Sequence, residues 1–265
     1  MGQMKRLLNK VFKYSGLKSL YFRYARRDSS TIKCPILVYH LISSEAIPPL
    51  LFEQHLEFMS SIFNIITLRE LYQGIVNHDL PQNPLVISFD DGYQDTYEFA
   101  LPIFKKYGVA ATVFIPTGYI GGWFGRKPIM TVEQIKHLAT DGMEIGAHTV
   151  SHPNLKRLTR EDLRAELAIS KTKLEDIIEA AVISLSYPFG LYDSKVEELA
   201  QEVGFKIAVT TVHDFFVKPE RLFECPRISV YPHDSCKDLQ EKLAGDQHWL
   251  KVAHKLYLPL LSTRL

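Results

Sequence analysis

The chain has 265 residues and an apolar fraction of 46%, enough for one large α/β domain with a substantial core. Its 31 Lys and Arg are matched by 30 Asp and Glu, so no overall basic bias points to nucleic acid as a partner. Cys34, Cys225 and Cys236 are odd in number and form no CxxC pair, which argues against a disulfide framework or thiolate zinc site and for a reducing compartment.

Residues 1–27 carry Lys5, Arg6, Lys10, Lys13, Lys18, Arg23, Arg26 and Arg27 and no acidic residue. Leu7, Val11, Tyr14, Leu17, Tyr21 and Tyr24 recur at helical spacing among them. Such a basic amphipathic extension, taken to residue 33, suits either peripheral contact with an anionic membrane or packing on the domain. Cations interrupt each apolar run, so neither a signal peptide nor a membrane-spanning helix of ~20 apolar residues is expected. The expected location is cytoplasmic, on or near the inner membrane face. The tail, 246–265, is similar in character to the N-terminal extension.

Between these extensions, over 34–245, short β-branched runs alternate with helical patterns. Strands are expected at 35–39, 64–67, 85–89, 111–115, 143–147, 183–187, 206–210 and 227–231. Helices are expected at 52–61, 68–77, 94–107, 131–140, 160–180, 194–203 and 235–244. The clearest stripe is Leu163, Leu167, Ser170, Leu174 and Ile177, with Thr159 as N-cap and Asp162 three residues on. Repeated βα units in this number, roughly seven or eight, predict a closed or nearly closed (β/α) barrel, and no GxGxxG follows the first strand to favour an open dinucleotide-binding sheet.

Two strand ends carry chemistry. Asp90 and Asp91 follow Leu85-Val86-Ile87, and His148, with His152 four residues on, follows Met143-Glu144-Ile145-Gly146-Ala147. In a parallel α/β fold these ends share one face. Two imidazoles and one carboxylate would leave a position open for water on a metal, while the other aspartate accepts a proton. Both aspartates reach one site only if the backbone turns, and Gly92 permits that. Gly118-Tyr119-Ile120-Gly121-Gly122-Trp123-Phe124-Gly125 offers aromatic faces suited to a sugar ring.

Ser88-Phe89-Asp90-Asp91-Gly92 and His148-Thr149-Val150-Ser151-His152-Pro153 resemble the first two motifs of the polysaccharide deacetylase family, the NodB-homology domain of carbohydrate esterase family 4. Ser186-Tyr187-Pro188-Phe189-Gly190 resembles the third, and the resemblance extends over about residues 34 to 232. It implies a distorted (β/α)7–8 barrel, Asp90 as general base, Asp91, His148 and His152 as ligands of Zn2+ or another divalent transition metal, and the Phe189 amide as oxyanion donor. Two positions depart from the family pattern. Ser186 stands where the family usually has the arginine that orients the base, so Arg227 is the candidate replacement. No clear Leu-x-His motif supplies the general acid, so His233 is the candidate, with His213 behind it. The Tyr-Pro-Phe-Gly sequence and Tyr39-His40 are similar to the branch acting on poly-N-acetylglucosamine exopolysaccharides, so His40 and Tyr187 are candidate substrate contacts, beside Tyr119 and Trp123 of the aromatic loop.

The expected activity is metal-dependent removal of an N-acetyl group from an amino sugar of a polysaccharide or lipid-linked glycan. Alternatives are a deformylase of a lipid-linked amino sugar, a glycan binder without turnover, and a non-haem iron oxygenase using the same three ligands.

Overall fold

The computed structural model describes residues 31–232 and 234–243. The basic segment 1–27, the tail 246–265 and the candidate acid His233 lie outside the described residues.

The chain opens with β1 (Ile32–Lys33), β2 (Ile36–Tyr39), α1 (Pro49–Ser60), β3 (Asn64–Ile66), α2 (Leu68–Asn77) and β4 (Pro84–Phe89). A π-helical turn, Thr96–Ala100, leads into α3 (Leu101–Tyr107), followed by β5 (Thr112–Ile115), β6 (Trp123–Phe124), β7 (Lys127–Pro128), α4 (Val132–Thr140) and β8 (Glu144–Ala147). The remainder is α5 (Arg160–Ile178), β9 (Ser184–Ser186), α6 (Ser194–Val203), β10 (Ile207–Val209), β11 (Phe216–Val217), β12 (Ile228–Ser229) and α7 (Cys236–Leu243).

Seven strands follow the order β10-β9-β8-β5-β4-β2-β12, with β3 paired to β4 beside that path, and every pair is parallel. The sheet curls into the expected distorted (β/α) barrel. Its seam lies between β10 and β12, which the irregular segment before β12 spans. Val209 bridges Cys225, and the Arg227 N–H donates to the Val212 carbonyl at 2.8 Å. That diversion of the Arg227 N–H shortens β12 to Ile228–Ser229, where 227–231 was expected. The other seven expected strands are present to within one or two residues. Two antiparallel pairs were not expected, β1 with β11 and β6 with β7.

Local signals explain the helices. α2 and α4 begin with reciprocal capping boxes, Thr67 with Glu70 and Thr131 with Gln134. Thr159 caps α5 by accepting from the Asp162 N–H, but the Asp162 carboxylate takes the Thr159 hydroxyl at 2.8 Å instead of a backbone N–H. Leu163, Leu167, Ser170, Leu174 and Ile177 are all buried, which seats this helix on the barrel. It stops at Glu179, whose φ is 53°.

Tyr39, Phe52, Phe89 and Phe104 form an aromatic cluster with ring centroids 5.3–6.0 Å apart. Phe89 is the last residue of β4, so the cluster fixes the strand end immediately before Asp90. Phe104 is 1% exposed and meets both Phe52 and Phe89 edge-on. Phe104→Ala is expected to lower unfolding stability by about 3–5 kcal/mol in urea titrations, through lost burial and the cavity left behind.

Candidate metal centre and catalytic aspartate

β4 and β8 flank β5, so Asp90, Asp91 and His148 emerge one strand apart on the same face. Asp91 and Gly92 have φ of 70° and 63°. Two successive left-handed residues turn the chain sharply, which lets both carboxylates serve one site instead of alternating across the sheet. Thr149 and His152 are also left-handed, with φ of 66° and 56°.

Asp91, His148 and His152 place their ligand atoms within 4.8 Å of one another. Asp91 Oδ1 lies 3.6 Å from His148 Nε2 and 3.7 Å from His152 Nε2. Ligands about 2.0–2.1 Å from a tetrahedral ion stand roughly 3.3 Å apart, so a small closure would fit one. His148 Nδ1 lies 2.7 Å from the Ser186 carbonyl, which can only accept. Nδ1 therefore carries the proton and Nε2 is the free donor atom, as ligation requires. Burial, then the charge of His148, pushes the His152 pKa down to about 4 against the pull of Asp91 and Asp90. Its imidazole is neutral near pH 7, the form that binds metal. Burial, and then the nearby Asp91 carboxylate, raises the pKa of Tyr93.

Phe189 has φ 60°, and its ring stands edge-on to His152 at 4.6 Å. On the other flank Phe124 lies 5.1 Å from His152, with Tyr119 a further 4.8 Å on. His40, exposed at the end of β2, lies close enough for its charge to act on Asp90. Trp123 is 65% exposed. Tyr187, expected to touch substrate, is instead fully buried, its ring stacked on Tyr192 at 5.0 Å, so packing is its role. His213 is buried and packs edge-on against Phe215. Sequence reasoning missed Tyr93, and it named Phe124 only as one of the loop's aromatic faces. Trp123 and Phe124 are neighbours on a strand and point oppositely, so choosing the right aromatic required the hairpin's parity.

Asp90 meets Arg227 through both carboxylate oxygens, at 2.7 Å each. Arg227 is 1% exposed, and Ser186 Oγ accepts from it at 3.0 Å while donating to Asp90 Oδ2 at 3.3 Å. Serine and arginine from different strands thus assemble the contact that a motif arginine would make alone. Burial would raise the Asp90 pKa, but the charges of Arg227 and His148 and the Arg227 hydrogen bond outweigh it and hold the carboxyl below its usual range. A depressed carboxyl pKa stabilises the fold fully above the unfolded value of ~4 and loses that contribution as pH falls through the folded value. Wild-type stability in urea is expected to fall on acidification below about pH 4–5, and to fall less steeply in Asp90→Asn. Arg227→Met strands a buried carboxylate and is expected to cost about 3–5 kcal/mol at neutral pH in the same titrations.

The family model for polysaccharide deacetylase matches residues 77–208, which span both metal motifs and the third motif but stop short of Arg227. A Bacillus subtilis (strain 168) protein assigned to the polysaccharide deacetylases, YxkH, is 33% identical over 205 residues, covering 76% of this chain and 72% of that one. A poly-β-1,6-N-acetyl-D-glucosamine N-deacetylase of Staphylococcus aureus is 25% identical over 190 residues, 68% of this chain and 66% of its own length. Among solved structures, Streptococcus pyogenes deacetylase PplD in complex with acetate superposes with a TM-score of 0.73 at 29% identity, covering 80% of this chain and 98% of that one. With a curled parallel sheet, three converging ligands and an aspartate beside them, the chain belongs to the polysaccharide deacetylase family.

Proposed function

We propose that the chain is a zinc-dependent carbohydrate N-deacetylase acting on a glycan that contains N-acetylglucosamine. The observation that carries this reading is the convergence of Asp91, His148 and His152 beside an aspartate held by a buried guanidinium. Two imidazoles and a carboxylate suit Zn2+ with a position left for water. A divalent cation in that place supplies Lewis-acid polarisation of the acetyl carbonyl and acidifies water.

The chain's own residues supply the rest. Asp90 accepts the proton of the attacking water, already oriented through both oxygens by Arg227 and Ser186. The Phe189 N–H donates to the oxyanion that forms when water adds to the acyl carbon. The C–N bond then breaks, acetate leaves, and His233 protonates the amine. Phe189, exposed with its ring 4.6 Å from His152, offers a flat face to the sugar rings. The staphylococcal relative's substrate supports N-acetylglucosamine as the sugar. A binder without turnover was suggested by Ser186 at the usual arginine position and by the lack of a clear general-acid motif, and Arg227 on Asp90 answers the first of these.

Purified protein is expected to hold about one zinc per chain and to release acetate from N-acetylglucosamine oligomers. His148→Ala should lose the metal. Asp90→Asn should keep the metal and lose ~10²–10⁴-fold in rate. Acetate release unchanged in Asp90→Asn would sink the mechanism.

A further inference from the structure

His148 and His152 are held in different ways. His148 continues β8 and is aimed by the Ser186 carbonyl. His152 sits in a loop, in left-handed backbone, and its N–H donates to Thr149 Oγ1 at 3.1 Å, a residue that is itself left-handed. The aim of His152 therefore depends on what holds 149–151.

That segment is gripped from two sides. From the strand end after β5, the Thr117 N–H donates to the Thr149 carbonyl at 3.0 Å, the Gly118 N–H to the Val150 carbonyl at 2.8 Å, and the Tyr119 hydroxyl to the Ser151 carbonyl at 3.1 Å. A Cβ at Gly118 would stand 2.7 Å from the Val150 oxygen, so this approach needs glycine. From α5, Glu166 takes the groups that remain. Its Oε2 accepts from the Val150 N–H at 2.8 Å and the Ser151 N–H at 2.9 Å, and its Oε1 accepts from the Ser151 hydroxyl at 2.6 Å. Two turns further along the same helix, Lys173 Nζ donates to the Thr117 carbonyl at 2.9 Å. One helix, seated by its buried leucine stripe, thus anchors both sides of the loop.

We propose that Glu166 is a positioning residue of the metal centre, holding 150–151 so that His152 meets Asp91 and His148. The inference rests on the metal-centre reading above. Charged acceptors make stronger hydrogen bonds than neutral ones, and here two backbone N–H groups and one hydroxyl on two adjacent residues are held by one carboxylate, which fixes the loop in place. A helix-surface glutamate that only stabilised the fold would leave metal affinity untouched, which separates the two roles.

The test is competition between the full-length protein and a chromophoric chelator for Zn2+, run on wild type, Glu166→Ala, Glu166→Gln and Asp176→Asn, with circular dichroism and the metal-free melting midpoint recorded on each. Glu166→Ala is expected to bind Zn2+ about 10–100-fold more weakly, the size typical of losing an outer partner of a ligand. Glu166→Gln, which keeps one acceptor oxygen, should fall between. Asp176→Asn, exposed on the same helix, should match wild type. Zn2+ affinity within about twofold of wild type in folded Glu166→Gln or Glu166→Ala overturns the proposal, whatever the melting midpoints do. Should Glu166→Ala not fold, Glu166→Gln decides alone. A wild-type protein that takes no Zn2+ overturns the metal-centre reading itself, and the role of Glu166 with it.

Discussion

The guanidinium of Arg227 ties together the ends of the barrel. Its Nε donates to the Thr210 carbonyl at 2.8 Å, one amino group reaches Asp90 Oδ1 and Ser88 Oγ, and the other reaches Asp90 Oδ2 and Ser186 Oγ. All five N–H groups thus have acceptors, and these come from beyond β10, from β4 and its end, and from β9. Burying such a cation costs several kcal/mol in desolvation, which the structure offsets only because the partners are complete and one of them is charged. The residue also stands at the seam that no strand ladder closes. Closing the barrel and aiming the Asp90 carboxylate are consequently one interaction, and neither can be altered without the other.

Backbone strain gathers where that interaction points. Of the seven non-glycine residues with positive φ among the described residues, Asp91, Thr149, His152 and Phe189 lie at the candidate metal centre, while His78 and Glu179 end helices. Left-handed backbone is unfavourable for side-chain-bearing residues and persists only where surroundings enforce it. Here the enforcement is visible in the loop 149–151, whose carbonyls are taken from one side and whose N–H groups are taken from the other. The resulting turns bring side chains from adjacent or nearby positions to one point, which regular strand alternation would forbid.

How much of this could be read from the chain follows the range of each interaction. Strands were legible because β-branched runs encode them locally, and α2 and α4 because their capping residues lie three apart. Asp91, His148 and His152 were legible because each pair of ligands, or its motif, is contiguous. Arg227 was reachable only by asking what replaces a missing cation, since 137 positions separate it from Asp90. Glu166 gave no signal, because on α5 it reads as one more polar residue opposite the leucine stripe. Tyr187 was misplaced for a related reason. Its position next to a motif says nothing about which way the ring turns, and packing against Tyr192 turns it inward. The outward face of a hairpin likewise depends on register, so the loop's aromatics were legible as a group, but not that Phe124 is the one standing against His152.

In the proposed reaction, with Asp90 as base, holding that carboxylate ionised has a consequence. The contacts that fix the carboxylate also withdraw charge from it, and a carboxyl held below its usual range is a weak base. Against bulk water, with a pKa of about 15.7, such a group has almost no driving force for proton transfer. Orientation alone does not close that gap, because it improves the frequency of productive encounter and not the proton affinity. The water must be acidified by something else within reach, and the three ligand atoms beside Asp90 are the groups in the described structure arranged to hold it. The buried arginine and the two imidazoles are in this sense complementary. One makes the base permanent and well aimed at the expense of its strength, and the others provide a place where a cation can lower the demand on it.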